Sequence, residues 1–258
     1  MNPQTIVIYD GSFDGFLCCV FMIYDQKISD PNIRKESEIN NQLFTITENV
    51  ITEKSKANRV WKGFKSKTTP YEQRDFFKVF LSEIKGVENT LLSYMKNVFA
   101  KEHNIAIDYS NKDILKISQV AKMVRREKHR MEAFVRFQLT SDHIYTATVE
   151  PDFNVLPLLI PHFKDRYADQ QWIIYDLKRD YGIYYDLKVV KTIIIEDFHK
   201  NKSKIAPEFL AHGEKEFQKL WVTYYDNVNI KSRKNNKLHK QHLPQRYWKY
   251  LTEKNNIP

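Results

Sequence analysis

The segment Val124–Gln138, VRREKHRMEAFVRFQ, constrains the fold more tightly than any other stretch of the chain. Upstream of it, Ile114, Ile117, Ala121, Val124 and Met131 recur at helical spacing, and Ser110 or Asp113 is suited to cap the helix they imply. The opposite face carries Lys122, Arg125, Arg126 and Arg130, so this helix is expected to bury one side and present a cationic one. Directly after it, Ala133–Leu139 (AFVRFQL) and His143–Val149 (HIYTATV) read as strands joined by a Thr-Ser-Asp turn. A long basic helix must therefore end where an antiparallel sheet begins.

The same reading extends in both directions. Thr5–Tyr9 (TIVIY) is a short buried strand, DGSFDG a turn, and Phe13, Phe16, Leu17, Val20, Phe21 and Tyr24 the apolar face of a helix that closes before Pro31. Leu43–Thr47 is the expected second strand, which gives a βαβ unit. Residues 53–103 are helical in pattern, with Gly86 separating two helices. Beyond the hairpin come a helix within Pro151–Asp169, then strands at Gln171–Asp176, Gly182–Asp186 and Leu187–Ile195. Pro207–Tyr225 reads as a helix with Phe209, Phe217, Leu220, Trp221 and Tyr224 as its buried stripe, and PQRYWKYLTE as a terminal helix. The expected class is α+β: a strand-helix-strand unit with further helices over residues 1–105, then a mainly antiparallel sheet covered by helices over residues 106–258.

Forty-one Lys and Arg against thirty-two Asp and Glu leave a net charge of +9, which favours anionic partners. Two regions hold much of the excess. Arg125, Arg126, Lys128, Arg130 and Arg136 lie at the joint between helix and sheet, placed to neutralise successive phosphates. Lys231, Arg233, Lys234, Lys237, Arg246 and Lys249 lie near the C-terminus, interleaved with Tyr247 and Trp248, a pattern that tracks a backbone and stacks bases. The bland alternatives are a solvated helix face and a last helix docked on the core by its aromatics. DNA binding through these residues predicts steep salt dependence, flattened by Arg125→Glu with Arg126→Glu.

Three weaker features remain. Asp10, Gly11, Ser12 and Asp14 lie between a strand and a helix N-terminus, where a ligand loop and an ordinary helix cap are both open readings. His129, His162 and Arg166 are candidates for acid, orienter and phosphate clamp of a nucleic-acid-processing enzyme if the fold brings them into one cleft. His239 and His242 have the spacing of a metal pair but no evident third ligand, so neither metal nor cofactor is expected. Cys18 and Cys19 are adjacent in an apolar run and suit a reducing compartment. No run approaches the ~18 apolar residues of a membrane span, and MNPQTIVIYDGSF lacks the form of a secretion signal, so the expected location is the cytoplasm.

Four segments together carry a resemblance: IYDGSFDGFLCCVFMIY at 8–24, VRREKHRMEAFVRFQ at 124–138, EPDFNVLPLLIPHFKDRYADQQWIIYD at 150–176 and LPQRYWKYLTE at 243–253. The chain resembles, over essentially its whole length, a bacterial family of DNA metabolism and DNA repair proteins whose C-terminal part is a domain of unknown function. That resemblance implies a DNA-directed role beside a radical-SAM protein, and similar sequences occur fused to a uracil-DNA glycosylase-like domain. It supplies no catalytic residues to carry over. The chain has no CxxxCxxC signature, so any radical-SAM chemistry falls to the partner. An interaction adaptor that docks this partner through the N-terminal unit, with an incidental basic face, is the third reading.

Overall fold

The computed structural model describes residues 4–38, 46–100, 111–196, 207–228 and 235–255. It falls into two compact units, Met1–Arg125 and Arg126–Pro258, whereas the expected boundary near residue 105 lies outside the described residues. Both units mix helices with strands, so the class is α+β.

In the first unit, β1 (Thr5–Tyr9) is the centre of a three-stranded parallel sheet, between β2 (Pro31–Lys35) and β3 (Ile46–Asn49). The second strand therefore comes earlier than the sequence suggests. Pro31 opens β2 instead of closing the helix α1 (Phe13–Asp25), which has already ended. Proline is tolerated there because it is the first residue of an edge strand. Part of the expected strand Leu43–Thr47 forms β3, and residues 43–45 lie outside the described residues. Three helices, α2 (Lys54–Ser66), α3 (Pro70–Phe80) and α4 (Val87–Ala100), complete the unit's core. Its centre is aromatic: the Phe13 ring lies 5.2 Å from Trp61, 5.0 Å from Phe77 and 5.1 Å from Phe80. Thr69 and Glu72 form a reciprocal capping box at the start of α3, with Pro70 in the first turn. Tyr9 donates its hydroxyl to Glu88 at 3.0 Å, fastening α4 to the central strand.

The helix α5 (Lys112–Phe134) crosses the boundary between the units in sequence. It extends into the stretch that reads as strand, so that β4 is only Gln138–Leu139. The second sheet runs β4-β5-β6-β7-β8, with β5 at Tyr145–Val149, β6 at Trp172–Asp176, β7 at Tyr181–Tyr185 and β8 at Val190–Ile193. Three of its pairings are antiparallel; β5 and β6 are parallel, joined across the helix α6 (Leu156–Arg166). Gly182 lets β7 approach β6 closely, since a β-carbon there would lie 2.7 Å from the Tyr175 ring and 3.0 Å from the Ile174 carbonyl oxygen.

The C-terminal segment closes this unit. Helix α7 (Glu214–Val228) is followed by α8 (Asn236–His242), a 3-10 turn over Gln245–Tyr250 and the short α9 (Thr252–Asn255). The expected terminal helix is thus a 3-10 turn with one α-turn after it. The helix expected over Pro207–Tyr225 divides into a 3-10 turn at Pro207–Phe209 and α7, and the stripe lacks the expected burial: Phe209 on the turn and Phe217, Leu220 and Tyr224 on α7 are at least half exposed, and Trp221 is 40% exposed. No described helix is long and apolar enough to cross a membrane.

Candidate functional site

The second unit contains a cleft of about 730 Å³. Its walls come from the end of α5 (Glu132) and the residues after it (Arg136, Phe137), from Leu139 and Tyr145, and from α6 with the residues after it (His162, Phe163, Arg166, Tyr167, Trp172). Glu214, Phe217, Gln218 and Trp221 of α7 and Thr252 close the remaining side. Ring contacts make one wall rigid: Phe137 lies 5.7 Å from Phe163 and 5.4 Å from Tyr167, and Phe163 stacks on Tyr167 at an interplanar angle of 11°. Trp172 is fully buried beneath them, and its indole N–H has no hydrogen-bond partner among the described residues.

The polar groups of the cleft divide into committed and uncommitted ones. Arg136 grips the buried Glu253 with two bonds of 2.7 and 3.2 Å, and its guanidinium lies 5.5 Å from the Trp221 ring. Trp221 donates to the same carboxylate at 2.9 Å. Burial pushes the Glu253 carboxyl up, but the bonds from Arg136 and Trp221 outweigh it and hold the group below its ordinary value. Glu214 accepts from the Leu139 amide at 3.1 Å and from Gln218 at 3.0 Å, which pins α7 to the edge of the sheet. Arg166, by contrast, is exposed; its Nε donates to the neighbouring Tyr167 hydroxyl at 3.4 Å, its guanidinium lies 5.7 Å from that ring, and it makes no ion pair among the described residues. A guanidinium so placed is free to meet an anion.

Of the expected catalytic candidates, His162 and Arg166 line this cleft one helical turn apart. His129 and His162 both approach Glu132, each with Nδ1 3.8 Å from a different carboxylate oxygen, and Lys128 ion-pairs with the same group. Glu132 carried no signal in the sequence, because it joins residues from two helices. The arrangement can orient an imidazole, and among the described residues no group of three or more His, Cys, Asp or Glu is placed to hold a metal ion.

The expected phosphate-binding residues are mostly engaged inside the molecule. Arg125 pairs with Asp75 at 3.0 Å, Arg130 with Glu127 at 3.5 Å, and Arg246 with Asp152 at 2.5 Å; Lys249 pairs with Glu150. Arg126 and Lys237 are exposed and make no ion pair among the described residues. Lys231, Arg233 and Lys234 lie outside the described residues. Tyr247, expected to stack on a base, is 2% exposed; its hydroxyl donates to Glu127, and it has no free face to offer. Trp248 is half-buried and donates to the Leu243 carbonyl at 3.1 Å.

The Asp10 loop is filled by its own side chains. Asp10 accepts from the Ser12 amide at 2.9 Å, the Ser12 hydroxyl at 2.6 Å and the Thr52 hydroxyl at 2.9 Å, while Ser12 caps α1 by accepting from the Gly15 amide at 2.9 Å. A β-carbon at Gly15 would come within 2.2 Å of the Asp10 carboxylate. Gly11 takes the left-handed conformation, φ 84°, that the turn requires. Burial raises the Asp10 carboxyl, the bonds from Ser12 and Thr52 lower it by more, and the net effect is downward. Every feature of this loop is accounted for by the turn and the cap.

Fold and site define a two-unit α+β protein whose second unit carries an aromatic cleft lined in part by the exposed Arg166. Residues 85–253 match the family model described as a domain of unknown function, DUF4130, and since this is well over half of the chain, the protein belongs to that family. No curated protein matches it. Among solved structures, the pGpG-specific phosphodiesterase PggH from Vibrio cholerae aligns over 89% of this chain and 100% of its own, at 10% identity and a TM-score of 0.34. Similarity at that level carries no argument about fold or activity.

Proposed function

We propose that this protein binds DNA in the cytoplasm through the cleft of its second unit, taking an unpaired base between the aromatic walls and an adjoining phosphate on Arg166, with His162 beside it. The observation that supports this most directly is the pairing of stacked ring walls with an exposed guanidinium that has no carboxylate partner among the described residues. The resemblance to DNA metabolism and repair proteins supports DNA as the nucleic acid and a radical-SAM protein as the partner in a repair or modification system. A second reading is favoured by one observation: His162 and Glu132 line the cleft side by side, with His129 on the other oxygen of the same carboxylate, which suits an enzyme acting on the bound strand.

Fluorescence anisotropy with labelled single-stranded and duplex DNA tests the binding reading. Arg166→Glu is expected to weaken single-strand binding by more than about tenfold, as removal of a charge-assisted phosphate contact does. Arg125→Glu with Arg126→Glu is expected to change it by no more than about threefold, because Arg125 is engaged by Asp75. Binding lost in the second variant and kept in the first would move the site out of the cleft.

A further inference from the structure

The outer face of α7 is a second, unassigned surface. Phe217, Trp221 and Tyr224 follow one another at i, i+4 and i+7, and they are 69%, 40% and 59% exposed. Phe217 and Trp221 also line the cleft, so the row of rings begins inside the site and leaves it along the helix. Trp221 and Tyr224 lie 5.8 Å apart, tilted by 33°, and Arg136 is held 5.5 Å from the Trp221 ring by its bonds to Glu253. Large rings left in water are a cost that a flat apolar surface laid against them would remove.

We propose that this face is a stacking track for the bases that flank the one held in the cleft, so that the ligand is a single strand of several nucleotides and not a mononucleotide or a duplex. The inference rests on the cleft reading and extends it. Seven residues of helix span about 10 Å, which matches roughly three steps of a stacked strand at 3.4 Å per phosphate. Stacking requires bases whose faces are free, which excludes those of an intact duplex. The continuity of the ring row with the cleft favours a nucleic-acid strand over a protein partner. Arg136 adds a fixed positive charge where the strand would leave the cleft, although its carboxylate partner reduces its pull on phosphate.

The test compares thymidine 5′-monophosphate, an oligothymidylate about eight residues long, and a duplex of the same length, a size within the usual range for single-strand sites. Binding is read by tryptophan fluorescence for wild type, Tyr224→Ala, Leu220→Ala and Arg166→Glu. All three substituted residues are exposed, and circular dichroism checks folding. Tyr224→Ala is expected to weaken the oligothymidylate by about 5- to 100-fold, the range for loss of one base-aromatic stack, and to leave the monophosphate unchanged. The salt slope should also stay the same, because a stacked base releases no counterions. Leu220→Ala, which removes an apolar group of the same face without a ring, should change neither ligand.

Wild-type affinity for the oligothymidylate in Tyr224→Ala, with loss in Arg166→Glu, would overturn the track and leave the cleft reading standing. Equal losses in Tyr224→Ala and Leu220→Ala would also overturn it, pointing to an apolar docking face. No binding of any single strand by the wild type at low salt would overturn both.

Discussion

A β-carbon at position 182 has nowhere to go. It would meet the fully buried Tyr175 ring on one side and a backbone carbonyl of β6 on the other, and neither can swing aside. Gly182→Ala is expected to destabilise the second unit by about 1–3 kcal/mol, the usual cost of overpacking, measured as a lower urea midpoint with an unchanged slope. Glu253 sets a pH dependence of its own. Its folded-state carboxyl lies below the ordinary value of 4.5, so the folded form binds its proton less readily than the unfolded one. The stability this supplies is fully present above pH 4.5 and is lost as the pH falls through the lower folded value. Glu253→Gln should therefore lose its stability difference from wild type as acid unfolding is followed downward from pH 5, and a constant difference across that range would contradict the assignment.

At the scale of the elements, the clamp between α5 and α9 is the most exposed to a single change. Arg136→Met leaves the Glu253 carboxylate buried without its charged partner, and is expected to cost about 3–5 kcal/mol in chemical unfolding. The double variant with Glu253→Gln should recover much of that loss, because no buried charge is then left unpaired. These couplings mark the limit of what the sequence could reveal. The strands β6, β7 and β8 were legible, being apolar runs bounded by polar turns, and so was the helical face that brings His162 and Arg166 together. Strand β2 was not, since Ile33 alone among its five residues is buried. The periodicity of α7 identified which residues share a face, but periodicity says nothing of what covers that face. The cleft was illegible as a whole because its walls come from separate elements, and the engagement of the basic residues was illegible because their partners are remote: Arg246 and Asp152 are 94 residues apart, Arg136 and Glu253 117.

For the whole molecule, internal pairing changes what its net charge of +9 implies. A chain with its arginines and lysines free would show the steep salt dependence that composition alone suggests. With Arg125, Lys128, Arg130, Arg136, Arg246 and Lys249 already beside carboxylates, these six release fewer counterions on binding than free cations would. The log-log salt slope for single-stranded DNA is expected to be shallow, about −1 to −2, corresponding to two or three phosphate contacts at roughly −0.7 each. A slope steeper than about −4 would mean that the ion pairs open on binding. The carboxylate of Glu127 carries a different consequence. It is 1% exposed, and it receives the Asp152 amide at 2.8 Å and the Tyr247 hydroxyl, with Arg130 and Arg246 at 3.5 and 3.7 Å. Tyr247 is made 120 residues after it, a delay of roughly 6 to 24 seconds at usual rates of synthesis. Until then a nascent chain holds a carboxylate without its partners, so the second unit completes its folding only once Arg246 and Tyr247 have left the ribosome.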